Sequence, residues 1–232
     1  GTLFVQSEAF HRSICAKGPF EDKIVYTPNW AEDLFCARGN IDSCKYQHLM
    51  PDGFRVMFAG NVGAAQDFDS ILRAASLTKD IPEIKWVVVG DGRKRAEAER
   101  IVQNEGLDRT VLFLGRYPVT EMPAFFIHAD AMLVTLRNEY IFSLTIPSKL
   151  QAYMASGKPV LSMIDGVGND VIHAAGCGLT ADAGDAETLS RNVRRLYEMD
   201  KQELADMGKR GFTYYKKNFS KDEILDKIVS YM

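Results

Sequence analysis

The stretch that decides the reading of this chain is Phe142-Ser-Leu-Thr-Ile-Pro-Ser-Lys-Leu-Gln-Ala-Tyr-Met-Ala-Ser-Gly-Lys-Pro-Val-Leu161, where a polar loop runs into a short helix and out again into an apolar strand. Pro147 suits the first helical turn, where its missing N–H leaves nothing unpaired, and Gly157 suits the stop. The N–H groups of Ser148 and Lys149 then lie open at the helix start, with the positive end of the macrodipole behind them. Such a start holds an anion, and with the Lys149 ammonium beside it the natural guest is a phosphate or diphosphate. An isolated Pro-Ser-Lys is more often an ordinary surface helix start, so the reading depends on what the rest of the chain supplies.

Outward from this stretch the chain alternates strands with helices. Apolar runs at Phe54–Ala59, Ile84–Val89 and residues 111–114, 131–136 and 159–163, with a weaker one at Gly178–Ala181, each lead into or follow a helical segment. Continuous apolar runs suit parallel strands buried on both faces. Right-handed crossovers between them build a doubly wound α/β sheet of about six strands with helices on both faces. Before it, short strands are expected over residues 2–6 and 23–27, with Ser7 capping an amphipathic helix that ends near Gly18. Periodicity fades between Trp30 and Gly53, where Gly39, Asn40, Pro51, Asp52 and Gly53 mark a connector. Helices over residues 185–199, 201–217 and 220–232 close the chain. Met122, Phe125 and Phe126 share a helix at core spacing.

The 232 residues can hold one large α/β domain, or one domain plus a fragment. With 25% charged and 46% hydrophobic residues, the composition is that of an ordinary globular protein. A net charge of −3 with the signs well mixed argues against a nucleic-acid partner. No apolar run reaches the roughly 20 residues of a membrane-spanning helix. Cys15, Cys36, Cys44 and Cys177 form no C-x-x-C pair and read as free thiols in a reducing compartment. The opening Gly1-Thr-Leu-Phe-Val has neither an initiator Met nor a signal-peptide pattern, so a piece of a longer protein is expected.

In a doubly wound sheet, ligands bind at the carboxyl ends of the strands. Three consecutive strand ends carry glycine turns there: Gly60-Asn-Val-Gly63-Ala-Ala-Gln66, Gly90-Asp-Gly92-Arg93 and Gly115-Arg116-Tyr117. Each alone is an ordinary tight turn, and none completes G-x-G-x-x-G or the phosphate loop of nucleotidases. No nucleophile elbow surrounds Ser143, Ser148 or Ser156, which leaves a hydrolase triad without support. His11, His48, His128 and His173 stand apart from one another and from clustered acids, so no metal site and no cofactor are expected.

Taken together, these segments resemble the C-terminal half of the retaining glycosyltransferases of family four, built from two Rossmann-like domains in the GT-B architecture. Phe58-Ala-Gly-Asn61 is similar to that family's first strand and glycine loop. Val88-Val-Gly-Asp-Gly-Arg93 and Val111-Leu-Phe-Leu-Gly-Arg116 resemble its next two strand ends. Lys149 to Val160 resembles its most characteristic segment, and Gly176-Cys-Gly-Leu-Thr-Ala-Asp-Ala-Gly-Asp185 its closing strand. The resemblance implies that residues 1–50 are the tail of an absent N-terminal domain plus the interdomain linker, and that residues 51–232 are the donor-binding domain. It implies a nucleotide sugar as donor, with UDP favoured, and a glycan or lipid-linked acceptor carried by the absent domain. A cytoplasmic role in surface polysaccharide biosynthesis follows, with a position at the inner face of the membrane left open.

This chain departs from the family pattern at four places. The two glutamates that usually contact donor sugar and ribose fall at Leu144 and Ala152, and the usual arginine and lysine of the first loop fall at Asn61 and Gln66. In the roles the resemblance implies, Lys149 and Asn61 are catalytic, stabilising the departing diphosphate. Gly60, Gln66, Gly90, Arg93, Arg116, Tyr117, Ser148, Gln151 and Tyr153 bind the donor. The base lies in the slot of Gly90, Arg116 and Tyr117, and the ribose near Ala152 and Tyr153, held by the Tyr153 hydroxyl or by Gln151. Two other readings stay open: a nucleotide-sugar-binding module without catalysis, favoured by Leu144 and Ala152, and an isomerase or phosphorylase of the same architecture.

Overall fold

The computed structural model describes residues 1–36 and 41–231. Gly39 and Asn40, two of the expected connector marks, lie outside the described residues, as does Met232. In chain order the elements are β1 (Leu3–Val5), α1 (Glu8–Cys15), β2 (Ile24–Tyr26), β3 (Phe54–Ala59), α2 (Phe68–Ser76), β4 (Ile84–Val89), α3 (Arg95–Asn104), β5 (Val111–Gly115), α4 (Met122–Phe126), β6 (Ala131–Thr135), α5 (Tyr140–Ser143), α6 (Ser148–Ala155), β7 (Val160–Met163), α7 (Val167–Ala175), β8 (Gly178–Ala181), α8 (Ala186–Glu198), α9 (Lys201–Asn218) and α10 (Lys221–Val229).

Six strands form one parallel sheet in the order β5-β4-β3-β6-β7-β8. The chain winds outward from β3 through β4 to β5, then crosses to β6 and winds the other way. The order therefore reverses between β3 and β6, and loops leaving those strands diverge and open a crevice at their carboxyl ends. This is the α/β doubly wound, Rossmann-like sheet expected from the apolar runs. Strands β1 and β2 pair parallel to each other in a separate two-stranded sheet.

Each face of the large sheet has its own core. On one, Val56, Phe58, Trp86 and Val88 meet apolar residues of α2, α3 and α8. On the other, Met57, Val87, Met132 and Val134 meet α4, α6, α7 and α9. Burial on both faces explains why the central strands read as nearly continuous apolar runs, interrupted in β3 by Arg55 and in β4 by Lys85. The one polar group of Trp86 is satisfied, its indole N–H donating to Thr78 Oγ1 at 3.1 Å.

Element ends differ from the sequence reading in small, explicable ways. The first helix stops at Cys15 and not near Gly18. Strand β5 continues into Gly115 because the ladder shifts register between Val88 and Val89, pairing Val89 with Gly115. Pro147 is not in the first turn of α6 but is its N-cap, with φ −64° and ψ 134°. Its extended ψ keeps it outside the helix, while its carbonyl accepts the Leu150 N–H at 2.9 Å. Gly157 follows the last turn at φ +68°, a left-handed conformation in which glycine escapes the Cβ penalty.

Candidate functional site

Two cavities of about 460 Å³ and about 710 Å³ adjoin over the crevice, sharing Gly60, Arg116, Tyr117 and Met122 in their walls. Their floor is backbone. Gly60 N–H donates to Val89 C=O at 2.9 Å, Val62 N–H to Asp91 C=O at 2.9 Å, and Gly90 N–H to Gly115 C=O at 2.8 Å. The loops after β3, β4 and β5 are thereby laced together. A Cβ on Gly90 would stand 1.8 Å from Gly60 O, and one on Gly92 would stand 2.3 Å from Val62 O. Glycine is required at both positions because another backbone occupies the space of a side chain.

Above this floor starts α6. Among the described residues no hydrogen bond engages the N–H groups of Ser148 and Lys149, and both residues line the first cavity. The Lys149 stem crosses Gly60, where an added Cβ would come within 2.5 Å of Lys149 Cε. Its ammonium lies 4.6 Å from the centroid of the Phe58 ring. No carboxylate pairs with it among the described residues, and burial pushes its pKa down to about 8. A largely buried, unpaired cation against an aromatic face, in a cavity that the open amides of Ser148 and Lys149 also line, suits an anion.

Two further cations stand around the cavities: Arg93 and Arg116 are exposed and form no ion pair among the described residues. Asn61 also lines the second cavity. Gln66 does not line either one. Its side-chain oxygen accepts from Gly63 N–H at 3.2 Å and lies 3.5 Å from Asn61 Nδ2, so it shapes the loop that carries Asn61. Tyr117 packs edge-on against Tyr46 and beside Phe125, which fixes the slot it forms with Gly90 and Arg116.

The structure corrects the expected polar roles of Gln151 and Tyr153. Tyr153 lends its ring to the first cavity, but its hydroxyl accepts from Ala59 N–H and donates to Ala59 C=O, each at 3.1 Å. Burial raises that phenol far above its ordinary pKa, and the hydroxyl is a strut between α6 and β3. Gln151 is fully buried, lines neither cavity and donates its amide to Asn29 C=O. Their places on α6 show why: residues on one short helix face different neighbours, and these two point toward β3 and the connector. Leu144 and Ala152 are themselves buried apolar residues.

Sequence reasoning missed one wall of the site. Trp30, Glu32 and Phe35 from the connector line the first cavity together with Met122 and Phe126. Phe35 stacks on Phe126 at 5.5 Å and 13°, and Tyr46 stacks on Phe125 at 4.1 Å and 12°. Lys45 and Tyr46 both reach Glu121. Met122 and Phe126 therefore serve as core and as cavity wall. The clue available in the sequence was a concentration of aromatics in a stretch without period.

Residues 46–213 match the model of the family described as glycosyl transferases group 1. The putative colanic acid biosynthesis glycosyl transferase WcaI of Escherichia coli is 28% identical over 145 residues, 61% of this chain and 35% of that protein. The probable glycosyltransferase WbjE of Pseudomonas aeruginosa is 28% identical over 175 residues, 75% of this chain and 42% of its own. The chain thus spans less than half the length of these curated relatives. Among solved structures, Anabaena HepE in complex with UDP and glucose aligns with TM-score 0.81 at 20% identity, over 99% of this chain and 62% of that one. The C-terminal domain of the group 1 family protein LpcC from Francisella tularensis aligns with TM-score 0.65 at 20% identity, over 81% of this chain and 96% of that one. At such identities these two likenesses show the shared fold.

Proposed function

This chain belongs to the group 1 glycosyl transferases, and from that premise we propose that it is the donor-binding part of a family-four, retaining GT-B enzyme that transfers a sugar from a nucleoside diphosphate sugar, a UDP-sugar, to a glycan or lipid-linked acceptor. One observation carries the proposal: the unpaired, largely buried Lys149 ammonium lies over the Gly60 floor, in the cavity that the start of α6 with its open amides also lines. A nucleoside diphosphate supplies the anion that this arrangement lacks. As the bond from the sugar to the diphosphate breaks, negative charge grows on the departing oxygen. Preorganised donors aimed at that charge lower the barrier, and Lys149 with the Ser148 and Lys149 amides are such donors.

Asn61 adds a hydrogen bond to the phosphates, held in place by Gln66, while Arg93 and Arg116 neutralise charge from the open side. The base enters the slot of Gly90, Arg116 and Tyr117. Gln151 and Tyr153 support the site through the connector and β3. A surface polysaccharide as product agrees with the colanic acid named for WcaI. Among the described residues no helix is long and apolar enough to cross a membrane. A cytoplasmic place of work goes with a nucleotide-sugar donor. We keep the division into residues 1–50 and 51–232, supported by the separate β1–β2 sheet. Ala31, Phe35, Cys36, Tyr46, Leu49 and Met50 nevertheless pack onto the second unit.

Calorimetric titration with UDP, and with GDP, ADP and NAD as controls, tests the reading. UDP is expected to bind saturably and most tightly. Lys149→Ala is expected to weaken it about 10- to 100-fold, the worth of one charge-assisted hydrogen bond. Equal affinity of wild type and variant for UDP would remove Lys149 from the phosphate site. The chain alone is expected to bind donor without transferring sugar, measured as free UDP released in the presence of acceptor. Conversion of donor with no acceptor would instead favour the isomerase or phosphorylase reading.

A further inference from the structure

The first cavity is electrically asymmetric. Lys149 and the start of α6 stand at one end, and the carboxylate lining its wall is Glu32. Glu32 is exposed, and its side chain makes no hydrogen bond or ion pair among the described residues. The contrast is Asp91 in the second cavity, whose carboxylate already accepts from Gly92 N–H at 2.8 Å and lies 4.0 Å from Arg95.

Glu32 is not placed by chance. Gln151 on α6 holds Asn29 C=O. Tyr215 on α9 brackets the next residue but one, its hydroxyl accepting from Ala31 N–H at 3.1 Å and donating to Ala31 C=O at 3.3 Å. Ala31 is buried at 4% exposure. Two interior side chains thus fix residues 29–31 against the domain and deliver the following carboxylate to the cavity wall.

We propose that Glu32 is the acceptor for the ribose hydroxyls of the nucleotide, positioned by Gln151 and Tyr215. The inference rests on the nucleoside diphosphate reading of the same site. One helical turn along α6 from Ser148, roughly 6 Å, Ala152 lines the same cavity as Glu32, within reach of a ribose whose diphosphate is held at Ser148 and Lys149. Ala152 offers a methyl group, the Tyr153 hydroxyl is engaged by Ala59, and Gln151 gives its amide nitrogen to Asn29 C=O while its amide oxygen is buried away from the cavity. A vicinal diol presents two O–H donors, and a carboxylate presents two acceptor oxygens that match them. The same carboxylate disfavours an anion at that end, so the nucleotide is held in one direction, phosphates toward Lys149.

The test is a comparison of UDP with 2′,3′-dideoxy-UDP on wild type, Glu32→Gln, Glu32→Ala and Tyr215→Phe. Wild type is expected to prefer UDP by about ten-fold or more. Glu32→Ala is expected to bind the two ligands alike, at the wild-type affinity for the dideoxy compound, and Glu32→Gln, which keeps one acceptor oxygen, to retain only part of the preference. Tyr215→Phe, which keeps the ring but frees Ala31, is expected to reduce the ratio of UDP to dideoxy-UDP affinity. Wild-type indifference to the hydroxyls, or a preference that survives in Glu32→Ala, overturns the assignment while UDP binding itself upholds the donor site. Failure of wild type to bind any nucleoside diphosphate overturns the donor-site reading and this inference with it.

Discussion

Lys149 shows how one side chain joins stability to ligand binding. Its pKa falls from the ordinary 10.5 to about 8 because burial penalises the ammonium. Between about 8 and 10.5 the unfolded chain therefore holds more protons than the folded one, so this lysine's contribution to stability rises with pH across that window. Binding has the opposite sign. A diphosphate keeps the ammonium charged, so UDP affinity is expected to fall as pH rises through about 8, by at most ten-fold per unit. In Lys149→Gln the profile is expected to be flat over the same range by calorimetry. Lys158 is also held near 8 by burial, but it donates to the carbonyls of Ile127 and Ala129, so it affects the stability slope alone. Asp67 is the non-glycine residue with positive φ among the described residues, at φ 50° and ψ 57°. Asp67→Val is expected to lower stability by about 1–2 kcal/mol in urea titration, while Asp67→Gly changes it by less than about 0.5 kcal/mol. Ser148 and Lys149 were legible in the sequence because Pro-Ser-Lys announces a helix start whatever packs behind it. Gln151 and Tyr153 were not, since the direction of their polar atoms depends on β3 and on a connector that folds back from over 100 residues away.

Among the elements, the central strands were the easiest to read. Strands β3 and β4 match their apolar runs residue for residue, because burial on both faces keeps them apolar except at the second position, where Arg55 and Lys85 are half-buried. Helix α6 was found from its breakers, although its proline turned out to precede the first turn. The connector was opaque for a physical reason. It has no helix or strand period, and its order comes from tertiary contacts such as Phe35 on Phe126 and Tyr46 on Phe125. The glycine loops were read correctly as turns, but their mutual contact was invisible until the strands were placed side by side. Gly90→Ala is expected to cost about 3 kcal/mol of stability, because its Cβ cannot coexist with Gly60 O. The same substitution is expected to weaken UDP binding, since the backbone that must yield is the cavity floor. Chemical denaturation alongside calorimetry separates the two effects.

For the molecule as a whole, parallel strands and right-handed crossovers were predictable, but the order in which they lie was not contained in any single segment. It emerges when two clusters, one on each face, are completed by the same six strands. Those shared strands should make the large unit unfold as one cooperative body. Strands β1 and β2 contribute to neither cluster, and Leu3 and Phe4 are exposed. Amides of β1 and β2 are therefore expected to exchange with deuterium much faster than those of Ile84–Val89; equal protection would mean that the small sheet is fused to the large one in energy. Between Tyr26, the last residue of β2, and Glu32 at the cavity wall there are five residues, and two of them are gripped from below by Gln151 and Tyr215. So short a tether has almost no slack. Mechanical load on the small sheet reaches the rim of the ligand cavity as a pull on those two anchors, making this piece of backbone a tendon as well as a wall.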